Sequence, residues 1–315
     1  MKTPDRIAIQ PRPRQPSPAK TRFEYSRHVY ERGIDRRTLL AGLPAAAWLG
    51  LAHASAGADG GAGEWAGSPA EDPGGRTSKN DRPRLKRLEL ATAAPLAEMR
   101  RFYGEFLGLP ILDESRDRLT VAGGETPITF VPAPEGFPDP FYHFAFNIPE
   151  NKILTARDWQ LERTPIEAPG PNLQDPDMPP EVVHFRHWDA HSIFFWDPGG
   201  NIVEYIARHT LDNPAPGEFS SRDILYASEI AFVTDDTAAL ADQLCDGFAL
   251  DPYGDGGDAF RAVGDELGLL LVMLRGRQMG WANGRPIDVA PAKVEIRAER
   301  SAELQPEPYP YQVGS

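Results

Sequence analysis

Four of the five histidines that follow residue 56 fall between positions 143 and 191: His143, His184, His187 and His191. Histidine is the side chain that exchanges protons and binds metals near neutral pH, so this clustering is where chemistry is sought first. His143 opens an apolar run, His143-Phe144-Ala145-Phe146-Asn147, and Glu204 sits inside another, Ile202-Val203-Glu204-Tyr205. A carboxylate within an apolar strand needs a partner, because an unpaired buried charge is costly. Plainer readings stand beside the chemical one. His143 is then a core histidine bonded to a backbone carbonyl, Glu204 pairs with Arg87, and His184 and His187 lie on a strand–turn surface. Cys245 is the lone cysteine, which excludes an internal disulfide and a cysteine-based zinc site.

The elements that must position these residues follow from periodicity. Leu85 to Thr92 alternates as a strand. Pro95 opens a helix whose Leu96, Met99, Tyr103 and Phe106 share one face, and Gly108 ends it. Short strands follow near Ile111, at Leu119–Val121 and at Ile128–Val131. A second βαβββ plan comprises a strand at Phe141–Ile148, a helix from about Glu150 to Arg163, a Pro-rich loop at 165–180, and strands at Val182–His187, Ser192–Trp196 and Ile202–Ala207. The turn Asp197-Pro198-Gly199-Gly200-Asn201 fixes the reversal before Glu204 and is scaffolding. A third unit starts at Ser228-Glu229-Ile230 with a helix at Thr237–Gly247. A fourth is reduced to Lys293–Arg297.

The His143 and Glu204 strands, the Asp-Pro-Gly-Gly-Asn turn and the stretch Met99 to Pro110 together resemble the vicinal oxygen chelate superfamily, which contains glyoxalase I, extradiol dioxygenases and bleomycin-resistance-type proteins. The resemblance covers about Arg84 to Arg208, with an echo from Ala227. It implies an α+β fold of paired βαβββ units around a cavity: a complete module over 84–209, a partial one over 224–298, and an unstructured tail over 299–315. A second chain completing the partial module, as a homodimer, is one arrangement; packing on the first module is the other. The resemblance further implies that His143 and Glu204 are ligands of one divalent ion (Fe, Mn, Zn or Ni). His191 joins them as third ligand or acts as acid/base. Arg87 stands where the family's first ligand would fall, and an arginine cannot ligate a metal. It is therefore expected in the pocket with His143 and Glu204, and Glu229 takes the equivalent place in the third unit.

The N-terminal segment resembles a twin-arginine export signal. Arg36-Arg37 precedes the apolar run 41–51, and Ala54-Ser55-Ala56 offers a cleavage site after Ala56. Residues 57–83 read as a flexible linker. The segment 1–56 carries ten Lys/Arg against four Asp/Glu, so its removal takes the net charge from −13 to −19. Such acidity argues against a nucleic-acid partner and against anionic surfaces, and no stable membrane insertion of the processed chain is expected. The favoured reading is an exported, periplasmic or extracellular protein that binds a small aromatic or vicinal-oxygen compound without metal. The alternative is a metal-dependent dioxygenase or lyase, and a third reading is a structural partner of an enzyme.

Overall fold

The computed structural model describes residues 82–168, 170, 173–278 and 285–315. The export signal with Arg36, Arg37 and Ala56 lies outside these residues, as does the linker except for its last two positions. The described chain forms two seven-stranded mixed sheets with few helices. It is the α+β arrangement of paired βαβββ units that the sequence leads one to expect.

In the first unit, β1 (Arg84–Thr92) leads into α1 (Leu96–Arg100), which continues as a wider turn over Arg101–Phe106. Gly108 ends it at φ +67°, a left-handed position that glycine occupies without strain. Strands β2 (Ile111–Glu114), β3 (Leu119–Gly123) and β4 (Thr126–Pro132) follow. The second unit comprises β5 (His143–Ile148), α2 (Ile153–Leu161), β6 (Val183–Phe185), β7 (Ala190–Trp196) and β8 (Ile202–Arg208). The third has β9 (Tyr226–Thr234), α3 (Thr237–Phe248), β10 (Phe260–Asp265) and β11 (Gly268–Leu274). Asp236 caps α3 by accepting the Ala239 N–H, and Leu240 and Leu244 are buried as their spacing predicts. Strands β12 (Ala292–Arg297), β13 (Glu303–Leu304) and β14 (Tyr311–Gly314) end the chain.

Two expectations about organisation are corrected. Units adjacent in sequence do not share a sheet. Sheet A runs β13-β14-β12-β1-β4-β3-β2 and sheet B runs β10-β11-β9-β5-β8-β7-β6. The first unit thus joins the C-terminal strands through antiparallel β1–β12, and the second joins the third through antiparallel β5–β9. The tail is not unstructured either. Strand β14 lies parallel to β12, and the Tyr311 hydroxyl donates to the Val233 carbonyl at 2.7 Å.

Sheet B is buried on both faces, which explains the unbroken burial of β5, β8 and β9. On one face, Phe195 packs on Tyr205 and on Phe102 from the segment after α1, while Tyr103 stacks on Phe130 of sheet A. These rings join the two sheets, each contributing about 2 kcal/mol through burial. The opposite face carries a separate apolar cluster, including Ala145, Phe194, Ile206 and Leu271. No helix among the described residues is long and apolar enough to cross a membrane.

Candidate metal centre

The second face of sheet B holds the chemistry. Ala145 on β5 is in register with Glu204 on parallel β8 and with Glu229 on antiparallel β9. Registered neighbours share a face, so the two carboxylates flank the small methyl group of Ala145. His143, two residues earlier on β5, points the same way. Its Nε2 lies 3.3 Å from Glu204 Oε2 and 3.9 Å from Glu229 Oε2. All three side chains are at most 3% exposed. Arg208, four residues after Glu204, comes from the same face, donating through Nη2 to Glu229 Oε1 and through Nε to Asn147 Oδ1 at 3.3 Å.

Hydrogen bonding fixes how these groups are presented. His143 Nδ1 donates to the Ile202 carbonyl at 3.3 Å, which in the neutral ring leaves the Nε2 lone pair aimed between the carboxylates. That is how metal-binding histidines are usually held. Three buried atoms here have no hydrogen-bond partner: His143 Nε2, Glu204 Oε1 and Arg208 Nη1. The Nε2–Oε2 approach of 3.3 Å is therefore a close charge contact without hydrogen-bond alignment. An unpartnered buried polar atom costs about 1–3 kcal/mol, so these three make this face of the sheet the first place to look for a bound group.

Burial pushes the Glu229 carboxyl up, Glu204 adds repulsion, and Arg208 and His143 oppose both; the outcome is about 7. Burial lowers His143, but the close carboxylate of Glu204 and the charge of Glu229 more than offset it and raise the ring above its usual value. With His143 protonated and both carboxylates ionised, the two cations balance the two anions. With His143 neutral the quartet carries one excess negative charge.

Of the residues expected in this site, His143 and Glu204 are brought together. Arg87 is not. It lies on sheet A, more than half exposed, 3.7 Å from Glu295, in a shallow hollow of about 260 Å³ with Glu89 and Lys293. Strand β1 pairs with β12 rather than with a strand of the second unit, so Arg87 has no route to His143. His191 is not a third ligand or an acid/base at this site either. It is in register with Ala207, on the face of sheet B opposite Phe194 and Glu204. Glu229 takes the third place, a residue whose first-strand position is visible in the sequence but whose pairing with β5 is not. Apolar side chains pack on the same face as the triad: Phe141, Leu173, Phe194, Tyr253 and Ile287 belong to one buried cluster with Ala145. The Asp197 turn is scaffolding, as expected. Its carboxylate is fully buried and accepts the Tyr103 hydroxyl at 2.7 Å and both the backbone and side-chain N–H of Asn201.

No protein-family model and no curated protein sequence matches the chain. Solved structures do resemble it. A candidate dioxygenase from Bacillus subtilis is 15% identical, with a TM-score of 0.46, over 68% of this chain and 71% of its own. Glyoxalase I from Zea mays is 14% identical, with a TM-score of 0.39, over 69% of this chain and 75% of its own. A glyoxalase/bleomycin resistance protein/dioxygenase from Nocardioides is 21% identical, with a TM-score of 0.31, over 44% of this chain and 91% of its own. At such distances the likeness concerns the fold, and the chemistry is argued from the residues present.

Proposed function

We propose that His143, Glu204 and Glu229 hold one divalent metal ion (Fe, Mn, Zn or Ni) and that the site acts on a small compound with adjacent oxygens, as a metal-dependent dioxygenase or lyase. The observation that supports this is the convergence of one imidazole and two carboxylates around unpartnered Nε2 and Oε1 atoms. Ligand atoms about 3.0–3.5 Å apart suit an ion bound at about 2.1 Å, and 3.3 and 3.9 Å approach that spacing. When bound, such an ion supplies Lewis-acid polarisation of a substrate oxygen. Glu229 stands where a third ligand is needed, and Arg87, which would oppose a cation, lies on the other sheet.

The chain's own residues set the substrate class. Two carboxylates, one guanidinium, a neutral imidazole and a divalent ion sum to one excess positive charge. Buried excess charge favours an anionic partner. A substrate bound as a monoanion, one of its vicinal oxygens deprotonated, would restore neutrality. Arg208 Nη1, buried and without an acceptor, is the donor for that oxygen. Entry requires the side chains over the triad to move aside, and their apolar character favours a partly apolar or aromatic compound.

The second reading is a metal-free binding protein, in which protonated His143 and Arg208 neutralise the two carboxylates. The Arg208–Glu229 contact and the raised His143 ring favour it. Export through the twin-arginine route is proposed with either reading. Elemental analysis of protein purified without chelator separates the two, comparing wild type, His143→Ala and Glu204→Gln. Both variants are expected to hold about one equivalent of metal less than wild type. Equal metal content in all three proteins would sink the metalloenzyme reading.

A further inference from the structure

A second group of metal-binding side chains lies on the other face of sheet B. His184 on β6 and His191 on β7 are directly opposite in an antiparallel pair, so both side chains leave the sheet together. Their rings stack with centroids 4.3 Å apart and planes 15° apart. Asp175 comes from the loop before β6, held beside that strand by the Gln174–Val183 bridge. Asp175 Oδ1 accepts the Asp177 N–H at 3.0 Å, which turns Oδ2 towards both rings. Oδ2 lies 3.2 Å from His184 Nδ1 and 3.3 Å from His191 Nε2. Yet His184 Nδ1 is buried and has no aligned hydrogen-bond partner.

We propose that Asp175, His184 and His191 form a binding site for a borderline divalent cation of the zinc class, distinct from the triad of His143, Glu204 and Glu229. Two imidazole nitrogens and a carboxylate oxygen are the donors such ions take. Tetrahedral ligands at about 2.1 Å stand roughly 3.4 Å apart, and the two distances to Asp175 already match. The orienting contacts are also present. His191 Nδ1 is 2.8 Å from His209 Nε2, so with His191 Nε2 as ligand the Nδ1–H donates to His209. His209 Nδ1 in turn faces Glu150 Oε2 at 4.0 Å. His184 and Asp175 are partly exposed, which leaves a solvent route for the ion.

The site has a structural consequence. An ion there ties the loop to β6 and β7, and Leu173, two residues before Asp175, packs in the cluster that covers the triad. Ion binding on one face thereby steadies the covering of the other.

The test uses the full chain, stripped with chelator, reloaded with Zn²⁺ alone, desalted and assayed for zinc per chain. His184→Ala and the near-isosteric Asp175→Asn are each expected to lose about one equivalent. That loss should appear equally in a Glu204→Gln background, so failure here and failure of the triad reading are read separately. Zn²⁺ should also slow backbone hydrogen exchange over residues 173–182 in Glu204→Gln and not in the Asp175→Asn/Glu204→Gln double variant. Should His184→Ala fail to fold, Asp175→Asn and the Co²⁺ visible spectrum of Glu204→Gln decide. Zinc content unchanged by Asp175→Asn, or no Co²⁺ band in Glu204→Gln, overturns the proposal.

Discussion

Glu229 sits 3.9 Å from His143, joined to Arg208, with Glu204 on the other side of Ala145. Its carboxyl is pushed up to about 7, and the His143 ring is also raised. The signs agree. Between about pH 4.5 and 7 the folded chain keeps a proton on Glu229 that the unfolded chain has released, so stability falls as pH rises. The raised His143 ring stabilises the fold fully below its ordinary value of 6.5, and that contribution fades as pH climbs through the folded value. Chelator-treated protein should therefore be more stable to urea at pH 5.5 than at pH 8, and Glu229→Gln should flatten the difference. Metal requires deprotonated ligands, so loading the triad should reverse the trend. A flat wild-type profile in chelator would mean that the quartet is not charged as described.

At the scale of elements, the Asp-Pro-Gly-Gly-Asn turn locks β8 against the rest of the molecule. Asp197 is fully buried, and Tyr103 of the first unit donates to it at 2.7 Å. That hydrogen bond joins the helical segment of the first unit to the turn before the strand that carries Glu204 and Arg208. Tyr103→Phe should cost about 1–3 kcal/mol, because a buried carboxyl loses a donor without losing its need for one. Denaturant unfolding measures it; a change under about 0.5 kcal/mol would place the anchor elsewhere. The same substitution should leave the zinc content of the Asp175 site untouched, since distant sites act independently.

Across the whole molecule, the two sheets are closed by the end of the chain. Strand β14 pairs with β12, buries Tyr311 and Val313, and reaches β9 through the Tyr311 hydroxyl. Truncation after Ala298 should therefore lower stability by at least about 3 kcal/mol, from the two lost side chains alone. Calorimetry on the shortened chain checks this, and an unchanged melting temperature would return the tail to the status the sequence suggests. The other end makes a separate prediction. Arg36→Lys with Arg37→Lys should retain an unprocessed chain in the cytoplasm, whereas wild type should appear outside it, shortened after Ala56. Equal export of both proteins would refute the twin-arginine route.

What the sequence determines by itself is local. Helix and strand periods, the left-handed glycine at 108 and the turn at Asp197–Asn201 depend on neighbours a few residues apart, and each is legible in side-chain type and spacing. His143 and Glu204 are legible for the same reason, since a polar side chain interrupts an apolar run. Tertiary structure alone decides which strand edges meet. The backbone edges of β1, β5, β9 and β12 offer similar hydrogen-bonding groups, so no local signal tells β5 to pair with β9 rather than with β1. That choice brings Glu229 to His143 and leaves Arg87 on an outer face, while the pairing of β7 with β6 and β8 turns His191 towards Asp175 and His184 on the opposite side of the sheet.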